Sequence, residues 1–313
     1  MVKKQTRSFR SSDGKTDIHV LLWIPEGTPR AVMQIAHGMV EYVDRYDRFA
    51  RFLAGQGFVV CGNDHLGHGQ SVTSDEELGF FRAKDGNGAV ISDMRRLMVI
   101  MNKRYPDIPY FLLGHSMGSF FAREYMEMYG EELDGVILSG TGSTPPPVLR
   151  FGKNMCRSFA VRKGWHHRSR TLNNMALGSY NRSFEPARTP YDWLTHDEEM
   201  VDRYAENPLT TFCFTVNGYY TLFTAVQKAQ SRRLIAQIPK DLPVLFVSGD
   251  CDPVGNFKKG VITACNALIK AGLTDVQLHF FEGDRHEILN ELDYEDVHAY
   301  LMEWLKERML RAK

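Results

Sequence analysis

The 313-residue sequence predicts an α/β protein with a mostly parallel central sheet, flanking helices and one helical insertion. Short apolar runs alternate with longer amphipathic stretches, which is typical of parallel strands joined by helices. Between residues 141 and 238 this alternation stops, and no strand-like run bounded by turn residues occurs. The composition agrees, since 43% apolar and 24% charged residues are ordinary values for a globular chain.

The apolar runs predict the strands, and the amphipathic stretches predict the helices that cover them. The predicted strands span 19–24, 31–36, 58–62, 110–114, 135–139, 244–248 and 276–281. The predicted helices lie near 46–55, 88–104, 117–129, 257–271 and 294–309. The chain thus divides into a first core part at 1–140, a helical insertion at 141–238 and a second core part at 239–313. We call the insertion the cap segment.

The cap segment differs from the rest of the chain in its charge and its aromatic content. It opens on Pro145-Pro146-Pro147 and has 13 basic and 7 acidic residues, so its net charge is +6 and that of the remainder is −6. Such a basic surface suits an anionic head group, a fatty-acid product or transient contact with a membrane surface. An aromatic run predicts that one side lines an apolar cavity, and it comprises Phe212, Phe214, Tyr219, Tyr220 and Phe223.

Charge and cysteine content argue against several classes of protein. Lys and Arg total 38 and Asp and Glu total 38, which argues against a nucleic-acid-binding protein. The five cysteines include no C-x-x-C, which argues against disulfides and zinc and favours a reducing compartment. No apolar stretch follows the basic N-terminus, and none approaches the ~20 residues that span a bilayer. We therefore expect a soluble, cytoplasmic protein.

The clearest chemical signal is the pentapeptide Gly114-His115-Ser116-Met117-Gly118, which stands between a predicted strand and a predicted helix. A G-x-S-x-G sequence in that context is a nucleophile elbow. Its turn is so tight that both flanking positions must be glycine. The turn places the serine above the sheet at a helix N-terminus, where N–H groups favour developing negative charge. Ser116 is therefore the candidate nucleophile.

A serine nucleophile needs a base, and the base needs an acid to orient it. The expected chain order is serine, acid and then histidine, and the loops after the last two predicted strands supply both groups. His286 is the favoured base because only it and His298 follow the other members, and His298 lies in a predicted helix. The acid stays open among three nearby aspartates, of which the second is favoured: Asp250, Asp252 and Asp284.

Acyl transfer also needs N–H donors for the oxyanion, normally two from the backbone. One comes from Met117, the residue after the nucleophile. The other should come from the loop after an early strand, where the His37-Gly38 pair allows a turn that aims the Met39 N–H into the site. The candidate substrate-contacting residues are His37, Gly38, Phe212, Tyr219 and Tyr220.

A second cluster of polar residues follows the third predicted strand. Asp64, His65 and His68 fall close enough together in the chain to resemble a set of metal ligands. A glycine-bent loop, with polar side chains bonded to nearby backbone, explains them better. We therefore expect no metal ion and no cofactor.

Five motifs together resemble those of a known family. They are His37-Gly38-x-x-Glu41-x-x-x-Arg45-Tyr46, Asp64-His-Leu-Gly-His-Gly-Gln-Ser71, Gly114-His-Ser-Met-Gly118, Ser248-Gly-Asp-Cys-Asp-Pro253 and Arg285-His-Glu-Ile-Leu-Asn290. Over nearly the whole chain the sequence resembles the α/β-hydrolases of the monoglyceride lipase and lysophospholipase type, in the serine aminopeptidase S33-like branch. The resemblance implies the α/β-hydrolase fold, with the cap segment in the place of the family's helical cap. It also implies that the acid is Asp252, the fourth residue of Gly249-x-x-Asp252.

The predicted function is that of a serine carboxylic-ester hydrolase acting on monoacylglycerol, lysophospholipid or similar medium- to long-chain acyl esters, which are small-molecule substrates. Two alternatives stay open, namely a peptidase or amidase on the same scaffold and a non-catalytic binding protein that keeps the pocket. An aminopeptidase needs an acidic pocket for the amine of its substrate, whereas the cap segment is basic. A pure binding protein would not need all three members of the triad. The sequence predicts no nucleic-acid partner and leaves the oligomeric state open.

Overall fold

The computed structural model describes residues 2–310, which form one eight-stranded sheet covered by helices on both faces. The strand order is β1-β2-β4-β3-β5-β6-β7-β8. β1 and β2 pair antiparallel with their neighbours, and all other pairs are parallel. The strands are β1 (Lys3–Arg10), β2 (Asp17–Ile24), β3 (Ala31–Ala36), β4 (Phe58–Asn63), β5 (Tyr110–His115), β6 (Gly135–Ser139), β7 (Val244–Gly249) and β8 (Val276–Phe281).

The central strands confirm the predicted α/β class. Every residue of β3 to β7 is buried, as expected where helices cover both faces of a parallel sheet. β1 was not among the predicted strands, because its sequence, KKQTRSFR, is polar and no apolar run marks it. It forms the exposed edge of the sheet and pairs with β2 along its whole length.

Eleven α-helices surround the sheet in the described part of the chain. They are α1 (Asp47–Gly55), α2 (Gly86–Arg104), α3 (Met117–Tyr129), α4 (Pro146–Lys163), α5 (Arg170–Leu177), α6 (Glu198–Glu206), α7 (Pro208–Thr211), α8 (Val216–Ala229), α9 (Arg232–Ile235), α10 (Lys259–Lys270) and α11 (Tyr294–Met309). α1 and α11 pack on one face of the sheet, and α2, α3 and α10 pack on the other.

The cap segment lies between β6 and β7 and contains six helices, α4 to α9, and no strand. α4 begins on a proline, whose fixed φ suits the first turn of a helix. Asp197 and Thr215 cap α6 and α8, because their side chains accept hydrogen bonds from Met200 N and Gly218 N, both at 3.1 Å. Within residues 2–310, no helix is both long enough and apolar enough to cross a membrane.

Candidate active site

Ser116 stands on the sharp turn between β5 and α3, with φ at +52°. Backbone in this left-handed region is uncommon for a residue other than glycine and marks a held conformation. A Cβ on Gly114 would lie 2.5 Å from Gly118 O, and one on Gly118 would lie 2.0 Å from Ala36 O. Both glycines are therefore needed for the chain to turn here and for α3 to approach the end of β3.

The turn after β3 lies directly against the nucleophile. A Cβ on Gly38 would lie 2.6 Å from Glu41 Oε1 and 3.1 Å from the Cβ of Ser116, so a larger residue would displace one or both side chains. Within the described residues, neither the Met39 N–H nor the Met117 N–H has a protein acceptor. Both N–H groups are therefore free for an oxyanion beside Ser116.

Two buried side chains orient this turn. His65 N–H donates to His37 Nε2 at 2.8 Å, so the ring proton must sit on Nδ1, which donates to Gly38 O at 2.8 Å. The Gly38 N–H donates to a carboxylate oxygen of Glu41. Burial lowers the pKa of His37, in agreement with a neutral ring.

Asp252 and His286 meet on the loops that follow β7 and β8. His286 Nδ1 lies 3.0 Å from Asp252 Oδ2, and both side chains are buried. The carboxylate also accepts hydrogen bonds from Val254 N at 2.8 Å and from Ser248 Oγ at 3.3 Å, which fix its direction. Burial opposes the charged ring, but the carboxylate of Asp252 raises the pKa of His286 above its ordinary value.

Ser116 and His286 line the same cavity. The described residues include no hydrogen bond between their side chains within 3.5 Å, and such bonds are often long before substrate binds. Trp193 of the cap segment packs over the His286 ring, with the centroids 5.1 Å apart. The geometry therefore brings an oriented histidine and a free serine hydroxyl to one cavity.

The other two candidate acids have different surroundings. Asp250 accepts from Gly283 N at 2.9 Å and lies 3.4 Å from the Lys258 ammonium. Burial opposes its charged form, but these contacts together lower the pKa of Asp250. Burial, with help from the carboxylates of Glu291 and Asp293, raises the pKa of Asp284 to about 8. The carboxylate bonded to His286 is that of Asp252.

A buried ion network beneath the site was not foreseen, although its residues occur in the motifs that carry the family resemblance. Arg45 donates to Glu41 Oε2 at 2.8 Å and to both oxygens of Glu287 at 2.7 and 2.8 Å. Burial would raise the pKa of Glu287, but the Arg45 guanidinium lowers it to about 2. The signals in the sequence were the position of Glu287 directly after His286 and the four-residue spacing of Glu41 and Arg45.

The cavity has a volume of about 310 Å³ and lies between the sheet and the cap segment. The candidate nucleophile, base and oxyanion donors are among the residues that line it. The remaining wall is largely apolar and is contributed by α3, α4, α5 and α8, including Phe120, Leu149, Met175, Leu222, Phe223 and Val226. This apolar wall suits a ligand with an apolar part.

The five predicted substrate-contacting residues are divided between the cavity and other places. Gly38 lines the cavity, whereas the ring of His37 is fully buried beneath the turn. Tyr219 is buried one helical turn before Phe223, where its hydroxyl donates to Asn173.

Tyr220 faces outwards on α8, and its hydroxyl accepts from Arg157. Phe212 lines a neighbouring cavity. The aromatic side chain of the run that lines the main cavity is Phe223. The run did not reveal which face of α8 is turned inwards, because aromatic residues occupy both.

The loop after β4 uses its polar side chains internally. Asp64 accepts from Val43 N and Gln70 N, both at 2.8 Å, and lies 3.0 Å from His19 Nδ1. Burial lowers the pKa of His68 to about 3. In the part of the chain that the structure describes, no group of three or more His, Cys, Asp or Glu side chains is arranged to hold a metal ion.

Comparison with known proteins agrees with this geometry. The profile of the family described as "Serine aminopeptidase, S33" matches residues 27–293. The chain is 36% identical over 277 residues to the monoglyceride lipase homolog of Monkeypox virus, and the aligned region covers 88% of each chain. It is 26% identical over 302 residues to the monoglyceride lipase of Mus musculus, over 93% of this chain and 87% of that relative.

A solved structure shares the whole architecture. The structure of a highly thermostable carboxyl esterase from Bacillus coagulans in complex with glycerol superposes with a TM-score of 0.91 at 28% identity, over 99% of this chain and 100% of that chain. The sheet, its order and the serine turn after β5 define an α/β-hydrolase. The chain belongs to the serine aminopeptidase S33 family, as a hydrolase of the monoglyceride lipase type.

Proposed function

We propose that this hydrolase cleaves carboxylic esters through a Ser116–His286–Asp252 triad and an acyl-enzyme. The observation that carries the proposal is the 3.0 Å contact between His286 Nδ1 and Asp252 Oδ2 at the cavity that Ser116 lines. Asp252 accepts the Nδ1 proton, which leaves Nε2 free to act as a base towards the serine hydroxyl.

The reaction then follows in two halves. Ser116 Oγ attacks the ester carbonyl while His286 Nε2 takes its proton, and the oxyanion accepts hydrogen bonds from the N–H groups of Met39 and Met117. Collapse of the tetrahedral intermediate breaks the bond to the alcohol, which leaves with the proton from His286. Water then attacks the acyl-enzyme while the same nitrogen takes its proton. Collapse of the second intermediate breaks the bond to Ser116 Oγ, which receives that proton from His286, and the acid is released.

The apolar wall of the cavity favours acyl esters with a long chain, such as monoacylglycerol or lysophospholipid. The names of the relatives support the same class, since two are monoglyceride lipases or homologues and one is a carboxyl esterase. A peptidase is less well supported, although the family description includes aminopeptidases. The carboxylates of Glu41 and Glu287 border the cavity, but both are paired with Arg45 and do not offer a free anion to a substrate amine.

The apolar wall of the cavity predicts that kcat/KM depends on the length of the acyl chain. Each buried methylene contributes up to ~0.8 kcal/mol, or about fourfold in affinity, so kcat/KM should rise from acetyl esters through several added carbons and then level off. Gly152→Leu should move that maximum to shorter chains. Even a Cβ added at this position would lie 2.9 Å from the Phe223 ring, so the longer side chain should fill part of the cavity. A panel of p-nitrophenyl esters, run beside monoacylglycerol, lysophospholipid and an aminoacyl amide, measures this.

Two results of that panel would contradict the proposed substrate class. A steady decline in kcat/KM from acetate upwards would mean that the cavity accepts small acyl groups only. A clear preference for the aminoacyl amide would favour the peptidase. Acetate turnover by Gly152→Leu serves as the internal control, since the added side chain should leave the serine end of the cavity open.

We also propose that the cap segment, between core parts 1–140 and 239–313, acts as a lid that contacts lipid surfaces. α4 carries Val148 and Phe151, one helical turn apart and 55% and 61% exposed, and Val148 also lines the cavity. α4 has no acidic residue and five basic ones, Arg150, Lys153, Arg157, Arg162 and Lys163. Exposed apolar and basic side chains on one helix are the combination that favours an anionic lipid surface. The cytoplasmic location stays a prediction.

Phe151→Asp should therefore reduce binding to vesicles that contain phosphatidylglycerol by several-fold and leave hydrolysis of a soluble short-chain ester near its original rate. Val99→Asp on α2 is the matched control, because Val99 is 51% exposed and lies outside the cap segment. Co-sedimentation with the vesicles measures the difference. Equal binding by the two variants would remove the support for contact through α4.

A further inference from the structure

The turn that offers the Met39 N–H contains a strained residue. Val40 has φ at +54°, in the left-handed region, and is buried. Positive φ is an outlier for a β-branched residue, because its Cβ substituents crowd the backbone there. Such a conformation persists only where the surrounding structure holds it. The contacts of Val40 therefore show what keeps the turn in place.

The carbonyl oxygen of Val40 accepts a hydrogen bond from the hydroxyl of Tyr204, at 3.0 Å. Tyr204 belongs to α6 of the cap segment, whereas Val40 belongs to the core. Burial raises the pKa of Tyr204, so the hydroxyl keeps its proton and can donate. The two ends of the turn are thus restrained differently, since His37 and Glu41 hold Gly38 and Tyr204 holds Val40.

The side chain of Tyr204 is itself held firmly. The Arg45 guanidinium lies 4.8 Å from the centre of its ring, and the Tyr191 ring packs 5.0 Å away. Its carbonyl oxygen accepts from Thr210 Oγ1 at 2.5 Å, which fixes the end of α6. Asn207 ties the same end to the core through the Tyr42 hydroxyl at 2.8 Å. Because the Tyr204 side chain is fixed in this way, its hydroxyl can restrain the carbonyl group of Val40.

We propose that Tyr204 is a positioning residue for the oxyanion turn. Rotation about φ of Val40 swings the Met39–Val40 peptide unit and carries Met39 with it. By holding the Val40 carbonyl, the Tyr204 hydroxyl keeps the turn in its strained form and the Met39 N–H directed at the oxyanion. The inference rests on the proposed ester hydrolysis, and it makes the oxyanion site complete only when the cap segment is docked on the core.

Tyr204→Phe tests this, because it removes one oxygen and keeps the ring against Arg45. We expect kcat for a soluble ester to fall about tenfold with KM within twofold, since the donor is displaced and loss of an oxyanion donor outright costs ~10²–10³-fold. Tyr191→Phe, which removes a hydroxyl from the neighbouring tyrosine of the cap segment, is the matched control and should change kcat by less than twofold. Thermal unfolding of each variant reports whether the fold is kept.

Val40→Gly separates positioning from every other role of the hydroxyl. Glycine adopts positive φ without a steric penalty, so the turn no longer needs the restraint. In the Val40→Gly background, Tyr204→Phe should therefore lower kcat by less than threefold. A hydroxyl that contacts the substrate, or one that only stabilises the fold, would cost as much in this background as in the original chain.

The kinetic results of these variants distinguish the positioning role of Tyr204 from its alternatives. A tenfold loss in the original chain that shrinks in the Val40→Gly background supports the inference. No loss in kcat, or an equal loss in both backgrounds, overturns it while leaving ester hydrolysis intact. Absence of Ser116-dependent turnover in the unmodified chain would instead overturn the proposed function, and the inference with it.

Discussion

Replacing Ser116 by alanine is expected to lower kcat for ester hydrolysis by roughly 10⁴- to 10⁶-fold, the loss seen when a triad loses a member. The variant removes the atom that forms the acyl-enzyme and leaves the oxyanion donors and the cavity in place. One oxygen is lost from a turn that glycines and backbone contacts define, so thermal unfolding should change little. Steady-state hydrolysis of a p-nitrophenyl ester at high enzyme concentration measures the residual rate.

A fluorophosphonate probe gives the second readout for this variant, because it labels an activated serine and not a mere pocket. The unmodified chain should be labelled and Ser116→Ala should not. Ser143→Ala is the matched control, since Ser143 also lines the cavity, and it should keep the label. More than a few per cent of the original activity in Ser116→Ala would show that another group is the nucleophile. Failure of the unmodified chain to react would favour a non-catalytic binding protein.

The parts of the fold that the sequence predicted best are those that local constraints determine. The predicted bounds of β3, β6 and β8 agree with the structure. β3 and β6 are buried strands of a parallel sheet, which need continuous apolar runs. The serine turn was equally predictable, because the G-x-S-x-G pattern stands between an apolar run and a helical pattern, although Gly118 is required by a contact with the distant Ala36. β1 was missed for the opposite reason. Seven of its eight residues are polar, and it forms a strand because it pairs with β2 and not because of its own pattern.

Within the candidate site, the identities of the residues could be predicted from the sequence more readily than the directions in which their side chains point. Asp250 and Asp252 are two residues apart on one loop, and it was chiefly the resemblance to a known family that favoured Asp252 as the carboxylate that faces His286. The aromatic run of α8 posed the same problem, because Phe223 lines the cavity while Tyr219 and Tyr220 do not. Two further contacts between distant segments were not predicted from the sequence. The Arg45 network and the bond from Tyr204 to Val40 each depend on how separate loops pack together.

The second large expected effect is a loss of kcat that distinguishes Asp252 from Asp250. Asp252→Asn should lower kcat by about 10⁴-fold, because an amide no longer holds His286 in the tautomer that leaves Nε2 free. Asp250→Asn is the matched control on the same loop. Its carboxylate bonds to Gly283 N and pairs with Lys258, so its loss should affect stability and leave kcat within a few-fold. Steady-state kinetics of both variants with one soluble ester measures the contrast, and a reversed result would make Asp250 the acid.

The pH profile provides an independent test of the same assignment. His286 accepts a proton only when neutral, so the rate should rise with pH through the pKa of His286. In the unmodified chain the Asp252 carboxylate raises that pKa, which puts the midpoint above the ordinary histidine value of ~6.5. Asp252→Asn removes the strongest of the interactions that raise this pKa. Burial, which lowers it, is then opposed only by the carboxylates of Glu287 and Glu41, so the midpoint of the residual rate should move to lower pH. A midpoint that stays in place in Asp252→Asn, or that moves instead in Asp250→Asn, would show that His286 depends on another carboxylate.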